Sequence, residues 1–187
     1  MTSRVREYSA IVAALLIITF IFTAGCTVPN VPGSPSAPTK TFQPGQILQS
    51  IGEVTGQGLI PQGVPRVVIN TVTFTIGLTP GSKSVDLDNL TIIYADAVKT
   101  QTLTPIEGLR GEPPKNAWGI LSVAHEAGQP SDRLEFDEQA TIRINPLAAI
   151  VPGQLITIVV KPKEGQPLII RRIIPTTINQ GENVLQA

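Results

Sequence analysis

Four prolines at a strict three-residue spacing, Pro29, Pro32, Pro35 and Pro38, partition this chain before any fold is considered. A polyproline II helix has three residues per turn, so the four rings line one face of a stiff rod. An α-helix cannot run through them. The stretch 27–41 (TVPNVPGSPSAPTKT) has no apolar periodicity and reads as a spacer, extending roughly 3.1 Å per residue. On its N-terminal side, residues 10–24 (AIVAALLIITFIFTA) are almost wholly apolar. Arg4 and Arg6 precede that run, and no charge follows it before Lys40. This asymmetry directs the N-terminus inward and the rest of the chain outward. The resulting organisation is a hydrophobic signal or anchor segment over 1–26, a Pro-rich spacer over 27–41 and a folded domain over 42–187. PxxP spacing is also the form of an SH3 ligand, but outside the cell a stalk is the simpler account.

The apolar run admits three readings. It is somewhat short of the roughly twenty residues that span a bilayer as a helix, although Tyr8, Ser9 and Gly25–Val28 extend it to a marginal span. A cleaved secretory signal has the same basic and apolar regions. Thirdly, Thr23-Ala24-Gly25-Cys26 is similar to a lipobox, in which a small-residue pair precedes a lipidated cysteine, with Thr23 standing where Leu, Val or Ile is usual. Cys26 is therefore a candidate lipidation site. The membrane is an expected partner, through the N-terminal segment.

Composition excludes several functions. Charged residues are 15% of the 187, with net charge zero, so no basic tract exists to release counterions from a nucleic-acid backbone. Nucleic acid is not an expected partner. A single cysteine makes no internal disulfide, which leaves packing to stabilise an exported domain. Aromatics are only 4%, so the core must be aliphatic.

From Pro65 onward the hydrophobic period becomes two. In Thr71–Leu78 (TVTFTIGL), Val72, Phe74, Ile76 and Leu78 alternate with threonines and Gly77, the pattern of a half-buried strand. Pro80-Gly81-Ser82 supplies turn chemistry after it. Further strands are expected at Leu90–Tyr94, Trp118–Val123, Leu134–Phe136, Ala140–Ile144, Ile156–Val160 and Leu168–Ile174. Turn clusters separate them at Gly108–Pro114, Gly128–Ser131, Pro152-Gly153 and Lys163–Pro167. Gln46–Val54 instead places Ile47, Leu48, Ile51 and Val54 at helical spacing and reads as a short helix or irregular cover. The expected fold class is mainly β, a sandwich of about seven strands over an aliphatic core. Arg171-Arg172 reads as charge protecting an edge strand, with a subunit contact as the alternative.

Val72–Tyr94 (VTFTIGLTPGSKSVDLDNLTIIY) resembles the archaellins, subunits of the archaeal motility filament. The matching pieces are the turn Leu78-Thr79-Pro80-Gly81-Ser82, the acidic-Leu element Val85-Asp86-Leu87 and the strand Thr91-Ile92-Ile93-Tyr94. Glu138–Pro175 is similar too: a strand, a Pro-Gly turn, a strand ending Val-Lys-Pro, then an apolar strand with arginine before a proline. The resemblance covers Phe42–Ile178. It implies an immunoglobulin-like β-sandwich behind an N-terminal hydrophobic helix that packs into a filament core. This sequence departs from that pattern at Pro29–Pro38 and in lacking a basic-plus-glycine processing site, where Arg6-Glu7-Tyr8-Ser9 stands. Those departures fit a membrane-held accessory or anchoring component as well as a filament subunit.

Motifs of chemistry are sparse. Gly77–Ser84 (GLTPGSKS) has Ser82 where a P-loop has the glycine before its lysine, and its strand–turn–strand setting is wrong for phosphate. His125 is the only histidine and offers no zinc set and no supported triad. Asp86, Asp88 and Asn89, and separately Asp132, Glu135, Asp137 and Glu138, cluster oxygen ligands of the kind calcium takes, without EF-hand spacing; turn capping is the plainer role. Asn89-Leu90-Thr91 is an N-x-T sequon, making Asn89 a candidate glycosylation site. No catalytic residue, metal or cofactor is expected. The chain reads as a non-enzymatic structural or accessory protein of an archaellum or pilus-like filament, with like subunits or filament proteins as partners. The alternative is an anchored surface lipoprotein whose sandwich binds an envelope component.

Overall fold

Branched aliphatic and threonine side chains alternate along most of the chain after residue 47, and that alternation builds the fold. The computed structural model describes residues 44–187 apart from 64 and 127–129. The apolar run, the proline spacer and Cys26 lie outside the described residues. Among those described, no helix is long and apolar enough to cross a membrane.

Among the described residues eleven strands follow in order: β1 (Leu48–Leu59), β2 (Val68–Leu78), β3 (Val85–Asp86), β4 (Thr91–Ala95), β5 (Thr100–Arg110), β6 (Ala117–Ala124), β7 (Arg133–Leu134), β8 (Gln139–Asn145), β9 (Leu155–Lys161), β10 (Leu168–Ile173) and β11 (Gly181–Val184). A single 3-10 turn, Leu87–Asn89, joins β3 to β4. Nine strands form one sheet in the order β10-β9-β4-β5-β6-β8-β2-β1-β11, and β3 pairs with β7 apart from it.

β5 turns this sheet into two layers. Its first residues, Thr100–Leu103, pair antiparallel with β4. From Thr104 it runs parallel to β6 instead. Thus β10, β9 and β4 form one layer and β6, β8, β2, β1 and β11 the other. Inward side chains of both, among them Ile92, Ile158 and Ile170 against Phe74, Trp118 and Ile142, belong to a single buried cluster. Two isolated bridges, Gln46–Gln166 and Ile173–Gln186, then bring the far ends of the curled sheet together. The chain is mainly β, as its alternation implies, but built from more strands than about seven.

The additional strands lie where local signals conflict. Residues 46–54 are not helical: β1 occupies most of that stretch. Its register jumps between Ile51 and Thr55 while the partner moves only from Thr75 to Thr73, a bulge with Gly52 at φ +67°. Leu48 and Val54 face the core from either side of the bulge, while half-buried Ile51 lies on the opposite face. A bulged strand thereby mimics helical spacing. β5 is disguised by Pro105 and Gly108, breakers tolerated where it leaves β4 and bulges against β6. Leu134 belongs to the two-residue β7, but Phe136 does not extend a strand and is 79% exposed. β10 is a terminal strand of the sheet, with Arg171 exposed and Arg172 half-buried.

Candidate assembly surfaces and the sequon turn

The register of β10, β9 and β4 defines an outer face. Ile169 pairs with Val159 and that in turn with Ile93, placing an aliphatic row across three strands. Ile173 pairs with Leu155 in a second row. Between the rows, Arg171 stands beside Thr157 and Ala95. Side chains on this face alternate with the buried Ile92, Tyr94, Ile156, Ile158, Val160, Leu168 and Ile170 beneath it, so they cannot turn inward. Leu155 and Ile169 are each 53% exposed and Ile173 42%.

A second surface feature is the loop between β7 and β8. Glu138 is buried, and its carboxylate accepts the N–H of Glu135 at 2.7 Å, which closes the loop. Asp137 sits at φ +69°. These constraints push Phe136 outward between exposed Glu135 and Asp137. His125, also at positive φ, places Nδ1 3.0 Å from the Asp137 carbonyl and 3.9 Å from its carboxylate. Its observed role is a loop hydrogen bond.

The sequon turn is held from both sides. Val85 pairs with Leu134 and Asp86 with Arg133. The Leu87 N–H donates to the Asp132 carbonyl at 2.7 Å, and Leu87 is fully buried. Asp88 and Asn89 consequently face solvent. The carboxylates considered as cation ligands are otherwise engaged or dispersed: Arg133 lies 3.4 Å from Asp86 and Glu138 caps its own loop. Among the described residues, no group of three or more His, Cys, Asp or Glu could hold a metal ion. Residues 77–84 form the end of β2 and a turn in which the Thr79 hydroxyl donates to the Gln46 carbonyl at 2.8 Å and meets the Ser82 hydroxyl at 2.6 Å. The short strand β3 follows, not an α-helix whose N-terminus could receive phosphate. Beside this turn an open cleft of about 630 Å³ is lined by Gly45, Lys83, Asp86, Arg133, Lys163 and neighbouring residues.

Three carboxylate or amine groups have displaced pKa values, each with a structural reason. Burial works against the Asp96 carboxylate, but the N–H groups of Val98 and Lys99, the Tyr94 hydroxyl and the Gln154 side chain outweigh it and hold its pKa down. The Ser131 N–H chiefly lowers Glu126, opposed by burial and aided by Arg110. Burial lowers Lys115, whose ammonium donates to Asn70 at 2.6 Å. None of the three lines the cleft beside the Thr79 turn.

Comparison with known proteins adds a family. The profile of archaeal-type flagellins matches residues 10–172, which takes in the apolar run, the proline spacer and the domain as far as β10. The described fold is similar to the crystal structure of archaeal flagellin FlaB1 from Methanocaldococcus jannaschii, with a TM-score of 0.54 and 16% identity over 74% of this chain and 96% of that one. It is also similar to the archaeal flagellum of Methanospirillum hungatei strain JF1, with a TM-score of 0.50 and 20% identity over 75% of this chain and 71% of that one. At such identities the likeness is one of fold. No curated protein matches the sequence.

Proposed function

The chain belongs to the archaeal-type flagellin family, and from that premise we propose that it is a structural component of an archaellum, acting by subunit assembly at the cell surface rather than by catalysis. The observation that carries this reading is the span of the family match, which begins at Ala10, the first residue of the apolar run, and ends in β10. Membership therefore extends over the hydrophobic segment as well as the sandwich. Residues 1–26 provide the membrane or filament attachment, 27–41 a stiff spacer, and 42–187 the exposed domain. Aliphatic residues on the outer face of β10 and β9 support contact with like subunits or other filament proteins.

Two modifications accompany the reading. Cys26 would carry a lipid if the chain is held in the membrane as an accessory component. Asn89, exposed and fixed on a turn, would carry an N-linked glycan. The test is substitution of several apolar residues within 11–22 by charges in the native host. Loss of the protein from sheared filaments is expected; undiminished incorporation would defeat the proposal.

A further inference from the structure

We propose that the acidic Phe136 loop of one copy docks on the outer face of β10, β9 and β4 of the next copy. This pairing presupposes the assembly function proposed above and names the two surfaces that meet.

Charge complementarity selects a second copy as the occupant. The outward positions of β10, β9 and β4 hold aliphatic, threonine and alanine side chains together with two cations, Arg171 and Lys161, and no carboxylate. Neither cation makes an ion pair among the described residues. The β7–β8 loop has the opposite character. Phe136 is 79% exposed and flanked by the exposed carboxylates of Glu135 and Asp137, with exposed Asp132 nearby. The loop's own cation, Arg133, is already engaged by Asp86 and by Ser84, the latter at 2.7 Å. An exposed phenylalanine and an exposed aliphatic face both gain by leaving water. Seating the ring on the Ile169–Val159–Ile93 row places it between the row of Arg171 and the row of Lys161, within reach of its flanking carboxylates, which fixes orientation more than it adds affinity.

One copy cannot satisfy both surfaces. The loop feeds β8, in one layer, whereas the patch faces outward from the other layer. A contact between unlike surfaces is heterologous and repeats from copy to copy, giving an open helical array unless the rotation closes a ring. That is the geometry a filament requires.

The experiment uses the full-length chain, mixed from isotopically heavy and light preparations, with photoreactive benzoylphenylalanine at position 136. Heavy–light crosslinked peptides joining 136 to residues 155–173 are the expected product. Full-length Phe136→Asp and Ile169→Asp alter only exposed side chains, so β-type circular dichroism should persist. Each should weaken self-association by about tenfold or more, as removal of a central contact does. Crosslinks confined to one copy or to other segments, or unchanged assembly of both variants, would overturn the pairing and leave the assembly function standing. A chain that remains monomeric in its membrane would overturn both.

Discussion

Ile173 and Gln186 exchange both of their backbone hydrogen bonds, at 2.8 and 3.0 Å, and so tie the end of β10 to the segment after β11. These residues flank opposite ends of the nine-strand order. The C-terminal tail is therefore a structural clasp: it also places Leu185, 3% exposed, in the core and bonds its N–H to the Val54 carbonyl at 2.9 Å. Ending the chain at Gln180 should lower stability by at least the roughly 1.5–3 kcal/mol associated with burying one leucine. Urea denaturation of residues 42–187 and 42–180 measures the difference, and equal midpoints would show that the clasp is dispensable.

The turn beneath the clasp leaves no room for a methyl group at Gly58. A Cβ there would collide with the Asn179 carbonyl oxygen. Asn183 fixes that carbonyl by donating to it at 2.8 Å while accepting the Asn179 N–H at 2.8 Å. Gly58→Ala and Asn183→Leu should each cost about 1–3 kcal/mol, by overpacking in one case and by stranding buried polar groups in the other. Thermal unfolding of each variant tests this; a melting temperature equal to that of the parent would refute the packing at this site.

Trp118 is the only tryptophan and is fully buried. Among the described residues its indole nitrogen has no hydrogen-bond partner. Its emission should therefore be blue-shifted in the folded protein and shift to the red on unfolding. Trp118→Ala should destabilise by about 3–5 kcal/mol, whereas Trp118→Phe should cost less because it removes the unpartnered N–H. A solvent-like emission maximum before denaturation would contradict the core assignment.

Asp96 gives the β4–β5 hairpin a pH dependence. The Val98 and Lys99 N–H groups each reach Asp96 Oδ1 at 2.8 Å, and its folded pKa is lowered relative to the usual carboxylate value. Its contribution is thus complete above the unfolded pKa of about 3.9 and declines as pH falls through the folded value. Asp96→Asn should flatten part of the acid-side loss of stability. An identical stability–pH profile below about pH 4 for parent and variant would exclude the proposed linkage.

Much of this architecture is legible from alternation. Val72, Phe74 and Ile76, and likewise Ile156, Ile158 and Val160, are buried in strands as their period-two spacing implies. What escaped the sequence reading is non-local. β1 combines apolar residues from two faces across a bulge, and β5 contains Pro105 because it changes partners there. β11 is short, and its place is set by β1 rather than by its own composition. For the surfaces, the spacing of Leu134 and Phe136 implies a strand, whereas the carboxylates on either side of Phe136 favour its exposure to water. The turn residues before Asn89 allow its exposure without requiring it; the β3–β7 pairing and the buried Leu87 that fix the turn depend on long-range structure.

Assembly itself is tested most directly by recovering the native protein from separated membranes and sheared surface filaments and determining its N-terminus and mass in each fraction. The expected result is a chain that retains the apolar run 10–24 and is present in the sheared filaments. A chain confined to membranes as a monomer, with a lipid-modified N-terminus at Cys26 and none in the filaments, would contradict the proposed assembly function.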